Sequence, residues 1–407
     1  MKEVLKTKYN KYDTYLFVII ISTIYGRWGL LHPTTIIPIV LLPSLISNRK
    51  VLEKYASKFF YFFVFWQVYS FFSLLWVKDM QNGYLDTFLL FVHFLLFLEI
   101  IVFSFKAKNP IRSIVYAWTI AFSLTAIVAV WEIFTNQHLA SARVEKEYYG
   151  DLGGDFFIKE YATFTFYNPN TYCLFICLSF SFILYFYSQS RTRRKRYLSM
   201  FIAFLAIFIV AKDSSRGALI SMAIMLATFI YYRLEFSRYK EKIAIFMAVL
   251  LVSFFLFLYG ETLFGSIIFR IENKGLLESN ARLLLLYTGW ELFKSSNGLG
   301  SGVGSMMYEL GHSSYNPTSY LVVHNMIMEI LIEYGVLILF GLLLFFCQLY
   351  KNFKKMNDIS RFCIVGALLA FPFYSVINSE NLRPHFIWVF FASIYCFSIP
   401  LFNRNIR

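Results

Sequence analysis

Apolar stretches long enough to cross a lipid bilayer recur along nearly the whole of this 407-residue chain. A transmembrane helix needs about 20 consecutive, mostly apolar residues, and here hydrophobic residues make up 58% of the sequence and charged residues only 15%. This composition excludes a soluble globular domain. We expect an all-α, polytopic membrane protein that forms one domain, residues 1–407, with about twelve transmembrane helices. The predicted helices are 13–31, 33–47, 59–77, 84–105, 113–134, 170–189, 197–212, 216–232, 243–260, 324–349, 363–378 and 385–402.

The formal net charge of +14 is concentrated on one side of this predicted membrane protein. Seven segments, in every second loop and at both ends of the chain, contain 26 of the 38 Lys and Arg residues. Loops that stay in the cytoplasm carry such an excess of basic residues. The pattern therefore predicts that both termini are cytoplasmic and that the alternate loops are extracytoplasmic. Because the charge is explained by topology, we expect no nucleic-acid partner.

The large extracytoplasmic loop, 261–323, contains signals for short helices. Apolar residues recur at helical spacing from Ala281 to about Ser296, which predicts an amphipathic helix that Ser279-Asn280 can cap. Four alternating glycines follow this helix. They resemble a nucleotide-binding loop only superficially, because no Lys-Ser/Thr ending and no strand accompany them. We expect this glycine ladder to be a mobile loop edge over a functional site. Its members are Gly298, Gly300, Gly302 and Gly304.

Two arginines fall at the predicted outer ends of helices. Arg216 follows a polar turn and precedes the small pair Gly217-Ala218. Two interpretations are open: an interfacial arginine or partner of Asp213, or a phosphate ligand at the mouth of a cavity. Arg282 falls in the first turn of the amphipathic helix. A helix N-terminus already favours phosphate, and a guanidinium adds two parallel donors. Cations gathered at an outer cavity suggest an anionic, lipid-linked substrate.

His324 opens the next predicted helix and permits two interpretations. It is either an ordinary polar residue at a helix start or a general base, since a neutral imidazole can take a proton from a sugar hydroxyl. Asn325 follows it, and Glu333 lies further along the same helix on a face turned away. Arg383, at the outer start of the last helix, is a further candidate. The sequence contains no metal-binding motif of the known enzyme types, so we expect neither a metal nor another cofactor.

These segments, in this order, resemble the bacterial O-antigen ligase and surface polysaccharide polymerase superfamily. The resemblance extends over roughly residues 70–390. The matching segments are Leu75-Trp76-Val77-Lys78-Asp79, Trp131-Glu132-Ile133-Phe134 with His138-Leu139, Phe166-Tyr167-Asn168-Pro169-Asn170, Ser214-Ser215-Arg216-Gly217-Ala218, Ser279-Asn280-Ala281-Arg282 with Trp290, and His324-Asn325 with Glu333-Tyr334-Gly335.

The resemblance implies a metal-independent, inverting glycosyltransferase of the bacterial inner membrane. Such enzymes move a glycan from undecaprenyl diphosphate to a sugar hydroxyl on the extracytoplasmic face. By position, Arg216 and Arg282 would bind the diphosphate and His324 would activate the acceptor hydroxyl. Arg383, Glu333 and Asn325 are possible additional site residues. The implied partners are an undecaprenyl-diphosphate-linked oligosaccharide, a glycan or lipid-linked glycan acceptor, membrane lipids and a chain-length regulator protein.

Within the superfamily we favour a polymerase of a surface polysaccharide, such as O-antigen, capsule or exopolysaccharide. The alternative is an O-antigen ligase that joins the glycan to lipid A-core. A third possibility, of another class, is a flippase for lipid-linked oligosaccharides. A flippase needs polar groups along the whole translocation path, whereas here intramembrane charges are few (Glu99, Glu329 and Glu333) and the candidate polar residues gather at one mouth.

Overall fold

The computed structural model describes residues 9–25, 32–141, 161–235, 282–316, 321–356, 358–378, 381–399 and 402. All regular secondary structure in these segments is helical, so the all-α prediction is confirmed. The predicted helix at 243–260 and the predicted cap at Ser279-Asn280 lie outside the described residues. The amphipathic helix is present over 282–295, and its end matches the predicted one.

Most helices begin and end within about five residues of the predicted positions, but the first ends at Ser22, not at 31, and the third begins at Arg49, not at 59. The third helix contains a π-helical turn at Leu52–Ala56. The helices in the described segments are α1 (Lys11–Ser22), α2 (Pro33–Ser47), α3 (Arg49–Ser73), α4 (Met80–Lys106), α5 (Pro110–Thr135), α6 (Pro169–Gln189), α7 (Arg193–Lys212), α8 (Arg216–Glu235), α9 (282–295), α10 (Met306–His312), α11 (Met326–Phe353), α12 (Arg361–Tyr374) and α13 (His385–Phe397).

Local sequence signals explain why several helices start where they do. Proline is the first residue of α2, α5 and α6, where its missing N–H costs no helical hydrogen bond. The Asp79 side chain accepts a hydrogen bond from the Asn82 N–H at the start of α4, at 3.1 Å. Asn168 caps α6 in the same way, through the Asn170 N–H at 2.8 Å. These caps satisfy N–H groups that a helix start otherwise leaves without partners.

Five helices in the described segments are long and apolar enough to cross a membrane: α4, α5, α6, α8 and α11. A sixth span results if α2 and α3, which meet at an angle of 80°, are counted as one broken span. Two further apolar helices, α12 and α13, are shorter. The architecture is that of a polytopic membrane protein, and the expected number of about twelve spans is not confirmed.

The long helix α4 lies at the centre of the bundle and packs against α1, α2, α3 and α13. Aromatic side chains fill the space between the helices. Trp118 of α5 is fully buried, stacks on Phe182 of α6 and donates a hydrogen bond to the Ser393 hydroxyl of α13 at 3.1 Å. A smaller apolar cluster joins α9 and α10 to the start of α11. This second cluster fixes the part of the large loop that carries Arg282.

Candidate functional site

The connection between α12 and α13 brings several helix ends together. The Ser375 carbonyl accepts a hydrogen bond from the Met326 N–H, in the first turn of α11, at 3.0 Å. The buried Glu329 carboxylate accepts the backbone N–H groups of Asn381 at 2.7 Å and Leu382 at 3.2 Å. The end of α12, the start of α11 and the start of α13 therefore meet at one end of the bundle.

Arg216 begins α8 at this same end. A Cβ atom added to the neighbouring Gly217 would lie 3.1 Å from a side-chain carbon of Ile377 and 3.3 Å from the Phe373 carbonyl oxygen. The start of α8 thus lies directly against the end of α12, two residues away from the carbonyl that holds Met326. The predicted phosphate ligand Arg216 and the predicted base His324 stand on adjoining helix ends.

His324 lies immediately before α11 in a strained conformation. Its φ of 49° is in the left-handed region, which is uncommon for a residue other than glycine. Its Nδ1 atom is buried and has no hydrogen-bond partner among the described residues. Burial, and next the positive charge of Arg282, lower the pKa of His324 to about 4. Arg282 is therefore close enough for its charge to act on the imidazole, although 42 positions separate the two residues.

Helix α9 reaches this position because it packs across the start of α11. A Cβ atom added to Gly289 would lie 2.7 Å from Met328 Cγ, so the two helices touch there. Leu285 is buried in the same apolar cluster as Val323, the residue before His324. Arg282, in contrast, is exposed. The packing holds α9 in place and leaves the guanidinium accessible at its N-terminal end.

Asn325 has a structural role in this arrangement. Its side-chain oxygen accepts hydrogen bonds from the N–H groups of Ile327 at 3.0 Å and Met328 at 3.1 Å, so it caps α11. The cap holds Asn325, the residue that follows His324, in place. It also occupies the side-chain oxygen of Asn325, which could otherwise contact a substrate. Asn325 thereby positions His324.

Arg383 makes a two-pronged contact inside the bundle. Its Nε and Nη2 atoms donate to the two carboxylate oxygens of Asp86 at 2.8 and 2.9 Å, and Nη2 also donates to Asn82 Oδ1 at 3.2 Å. The two charged side chains are only 18% and 9% exposed. Both Nε and Nη2 of the guanidinium are therefore hydrogen-bonded to protein oxygens. Arg383 therefore holds α13 to α4, unlike the accessible Arg282.

Glu333 is buried in α11 beside that ion pair. One of its carboxylate oxygens accepts a hydrogen bond from the Met306 N–H, at the start of α10, at 3.4 Å. Glu333 thus connects α11 to the large loop.

Residues 201–346 match the family model described as O-antigen ligase. The chain is also 24% identical over 374 residues to the teichuronic acid biosynthesis protein TuaE of Bacillus subtilis strain 168, an alignment that covers 86% of this chain and 74% of that protein. Both similarities confirm the resemblance to the O-antigen ligase and polymerase superfamily that the sequence predicts, and they support a membrane enzyme of surface polysaccharide biosynthesis. Arg216, Arg282 and His324 fall inside the matched region and Arg383 outside it.

The glycine ladder is not at the edge of a loop, which is the position expected for it from the sequence. Helix α11 is broken at Gly335, whose φ is 71°. The break leaves the carbonyls of Ile332 and Glu333 without helical partners, and they accept the N–H groups of Ser301 at 2.6 Å and Gly302 at 3.1 Å. The expectation of a mobile loop edge is wrong, because the ladder is bonded into a broken membrane helix.

Close backbone approach explains the glycines at this break. A Cβ atom at Gly300 would lie 2.6 Å from the Glu333 carbonyl oxygen, and one at Gly304 would lie 2.7 Å from the Asn82 carbonyl. On the other side, the Trp76 indole donates to the Gly300 carbonyl at 3.2 Å. The ladder is thus wedged between α11, α4 and the end of α3, which gives the tryptophan of the Leu75–Asp79 segment a structural role.

Two buried acids organise the outer segment that precedes α6. Glu132, at the end of α5, accepts the N–H groups of Thr163 at 2.8 Å and Phe164 at 2.9 Å. Asp213, at the end of α7, accepts the Ala162 N–H at 2.7 Å. The sequence places Glu132 in a family motif, but its bonds to a segment 31 positions away could not be read from spacing.

Three histidines that the sequence separates widely meet at the same end of the bundle. His32 Nε2 and His385 Nε2 are 3.1 Å apart, and the rings of His93 and His385 have centroids 4.8 Å apart. Within the described segments, no group of three or more His, Cys, Asp and Glu side chains is arranged to hold a metal ion. Neither this cluster nor the Asp86 partner of Arg383 was expected from the sequence, although Asp86 was visible as an acid inside a predicted helix.

Proposed function

We propose that this protein transfers undecaprenyl-diphosphate-linked glycan units to a sugar hydroxyl on the extracytoplasmic face of the bacterial inner membrane, as a surface polysaccharide polymerase. The observation that carries the proposal is a half-buried, strained His324, with a buried Nδ1 atom, near enough to the accessible Arg282 to feel its charge, inside the region that matches the O-antigen ligase family. The similarity to a teichuronic acid biosynthesis protein over most of the chain supports a role in the biosynthesis of a surface polysaccharide.

His324 is the proposed general base. With its pKa lowered to about 4, the imidazole is neutral at pH 7 and able to accept a proton. A base with so low a pKa is weak, but a bound diphosphate would offset the charge of Arg282, which lowers that pKa. Substrate binding would therefore raise the basicity of His324 toward the value that favours proton transfer from a sugar hydroxyl.

Arg216 and Arg282 are the proposed ligands of the diphosphate. The lipid diphosphate gains negative charge as the anomeric bond breaks, so fixed guanidinium groups stabilise the transition state more than the ground state. Attack by the activated hydroxyl from the side opposite the diphosphate inverts the anomeric carbon. Because the charge is neutralised by two arginines, the proposed mechanism is independent of a metal ion.

The charge pattern supports the proposed orientation in the membrane. The basic loops lie at the ends of the helices opposite to Arg216 and His324, which by the positive-inside pattern supports cytoplasmic termini and an extracytoplasmic site. An undecaprenyl-diphosphate-linked glycan presented in the outer leaflet would reach the site from the membrane. A chain-length regulator protein is a proposed partner of the polymerase.

The second candidate is an O-antigen ligase, because the matching family model carries that description. A ligase would use lipid A-core as acceptor in place of a second lipid-linked glycan. Transport is less well supported. Asp86 is bonded to Arg383, and Glu329 and Glu333 are bonded to backbone N–H groups of distant segments. Glu99 is buried in α4 without a hydrogen-bond partner among the described residues, but one isolated acid does not line a translocation path.

Purified protein in lipid nanodiscs tests the proposal. With undecaprenyl-diphosphate-linked oligosaccharide as the only substrate, we expect a ladder of longer lipid-linked glycans, and replacement of His324 by Ala should abolish it. Product that forms only after lipid A-core is added would show a ligase. Movement of the oligosaccharide between leaflets without a new glycosidic bond would show a transporter.

A further inference from the structure

A cavity of about 530 Å³ lies between α3 and α11, with α13 behind it. Its volume falls within the range of about 300–1,000 Å³ that ligand pockets usually have. Aromatic and aliphatic side chains form most of its wall, among them Phe59, Phe63 and Trp66 of α3 and Leu344 of α11. Leu344 is 53% exposed, so the cavity opens on the membrane-facing side of α11.

One end of this groove is basic. Lys54 and Lys58, four residues apart on α3, and Lys351, near the end of α11, all line it. Among the described residues, none of the three has a carboxylate at ion-pair distance. Other lysines in the same segments do have one: Lys78 lies 3.1 Å from Glu309 and Lys294 lies 2.6 Å from Glu291. The groove therefore gathers three positive charges without compensating acids.

The basic end is far from the candidate functional site. Met326, two residues after His324, begins α11, and Lys351 lies two residues before the end of this helix at Phe353. A helix that crosses the bilayer has its two ends at opposite faces of the hydrocarbon core, which is about 30 Å thick. The lysines therefore lie at the level of the lipid headgroups on the face opposite to His324, which the charge pattern places in the cytoplasm.

We propose that this groove binds an anionic glycerophospholipid of the cytoplasmic leaflet. The phosphate lies against Lys54, Lys58 and Lys351, and an acyl chain lies along the aromatic face of α3. Charge complementarity identifies the occupant, because juxtamembrane lysines attract anionic headgroups. The isoprenoid tail of a substrate held at the opposite end would place only hydrocarbon beside the lysines. Such a tail carries no negative charge to pair with three cations.

The test measures lipid binding by native mass spectrometry of the full chain, titrated with phosphatidylglycerol or phosphatidylcholine. The variant carries Lys54→Gln, Lys58→Gln and Lys351→Gln. The matched control carries Arg193→Gln, Arg194→Gln and Lys195→Gln, which removes three exposed charges at the start of α7, away from the groove. We expect phosphatidylglycerol to bind the groove variant at least about tenfold more weakly, and the control to bind it as the native chain does.

A second variant, Leu344→Trp, fills the open side of the groove and should weaken binding while all three lysines remain. Equal losses in the groove variant and the control would overturn the proposal, because binding would then follow general surface charge. Displacement of phosphatidylglycerol by neutral undecaprenol, with no effect of the lysine substitutions, would assign the groove to an isoprenoid tail. Binding is also measured in His324→Ala, so this outcome does not depend on glycosyl transfer.

Discussion

Two groups of polar side chains at the same end of the bundle differ in how completely they are bonded. In the first, Arg383 is bonded to both oxygens of Asp86, and Glu329 accepts two backbone N–H groups. In the second, His324 has a buried Nδ1 atom without a partner in the described segments, and Arg282 beside it is exposed. The first group is committed to holding helices together, whereas the second is available to a ligand.

The comparison gives a criterion for distinguishing charges that hold helices together from those proposed to act on a substrate. An unpartnered buried polar atom and a left-handed φ both cost free energy, and such costs persist mainly where a site uses them. Substitution in the first group should thus affect stability, and substitution in the second should affect activity. Each substitution described next tests whether its residue belongs to the first group or to the second.

The largest expected effect is that of His324→Ala on activity. Loss of the general base should reduce glycan transfer by about 10²–10⁴-fold, measured as the rate of ladder formation in nanodiscs. The thermal midpoint should change little, because the removed ring atom makes no hydrogen bond. The matched control is His312→Ala: His312 is exposed, bonds to the Tyr308 carbonyl and stacks on the Tyr308 ring of its own helix. Activity retained in His324→Ala would remove the proposed base.

Breaking the Arg383–Asp86 pair should give the next largest effect, on stability. Arg383→Met or Asp86→Leu alone leaves a largely buried charge without its partner, which typically costs about 3–5 kcal/mol. The double variant should recover part of that loss, because neither charge then remains. Thermal unfolding in detergent measures all three variants. If the single substitutions left stability intact and abolished transfer, Arg383 would belong with the site.

The third largest effect is expected for Arg282→Ala, which should lose about 2.7–4 kcal/mol of transition-state stabilisation. Arg282→Lys should not restore the rate, since an ammonium lacks the planar fork that fits a diphosphate. Steady-state kinetics with the lipid-linked substrate measures both. Full rescue by lysine would reduce the role of Arg282 to charge alone.

Arg282→Ala and Arg282→Lys should differ from each other in the pH dependence of activity. The charge of Arg282 lowers the pKa of His324, so removing it in Arg282→Ala should raise that pKa. Because the neutral imidazole is the active form, the fall of activity at acidic pH should begin at higher pH in Arg282→Ala than in the native protein. Arg282→Lys keeps the charge and should keep the native profile.

The smallest effect is expected at the surface of the loop. Lys78 lies 3.1 Å from Glu309, but its side chain is 59% exposed. An exposed ion pair contributes about 0.2–1 kcal/mol, so Lys78→Met should shift the thermal midpoint only slightly and leave transfer unchanged. A strong loss of transfer would place Lys78 in the site, although the geometry gives it only a structural contact.

The sequence predicted what depends on local patterns. The helix predicted at 216–232 is Arg216–Glu235, and the one predicted at 324–349 is Met326–Phe353, because apolar length and capping residues are local properties. Contacts between distant segments were not predictable. Arg383 and Asp86 are 297 positions apart, and the ladder fits a helix break that periodicity does not reveal. The proximity of Arg282 to His324 followed from the family motifs, not from spacing.

The break in α11 has a consequence for exchanging parts between relatives. Before the break, the Ile332 and Glu333 carbonyls accept hydrogen bonds from the loop backbone, and after it the Val336 N–H donates to the Gly298 carbonyl. A chimera that swaps the loop alone would place a foreign loop against these groups, whereas one joined just after Val336 would carry both partners together. The natural unit of exchange therefore begins in the loop and ends in the middle of a membrane helix.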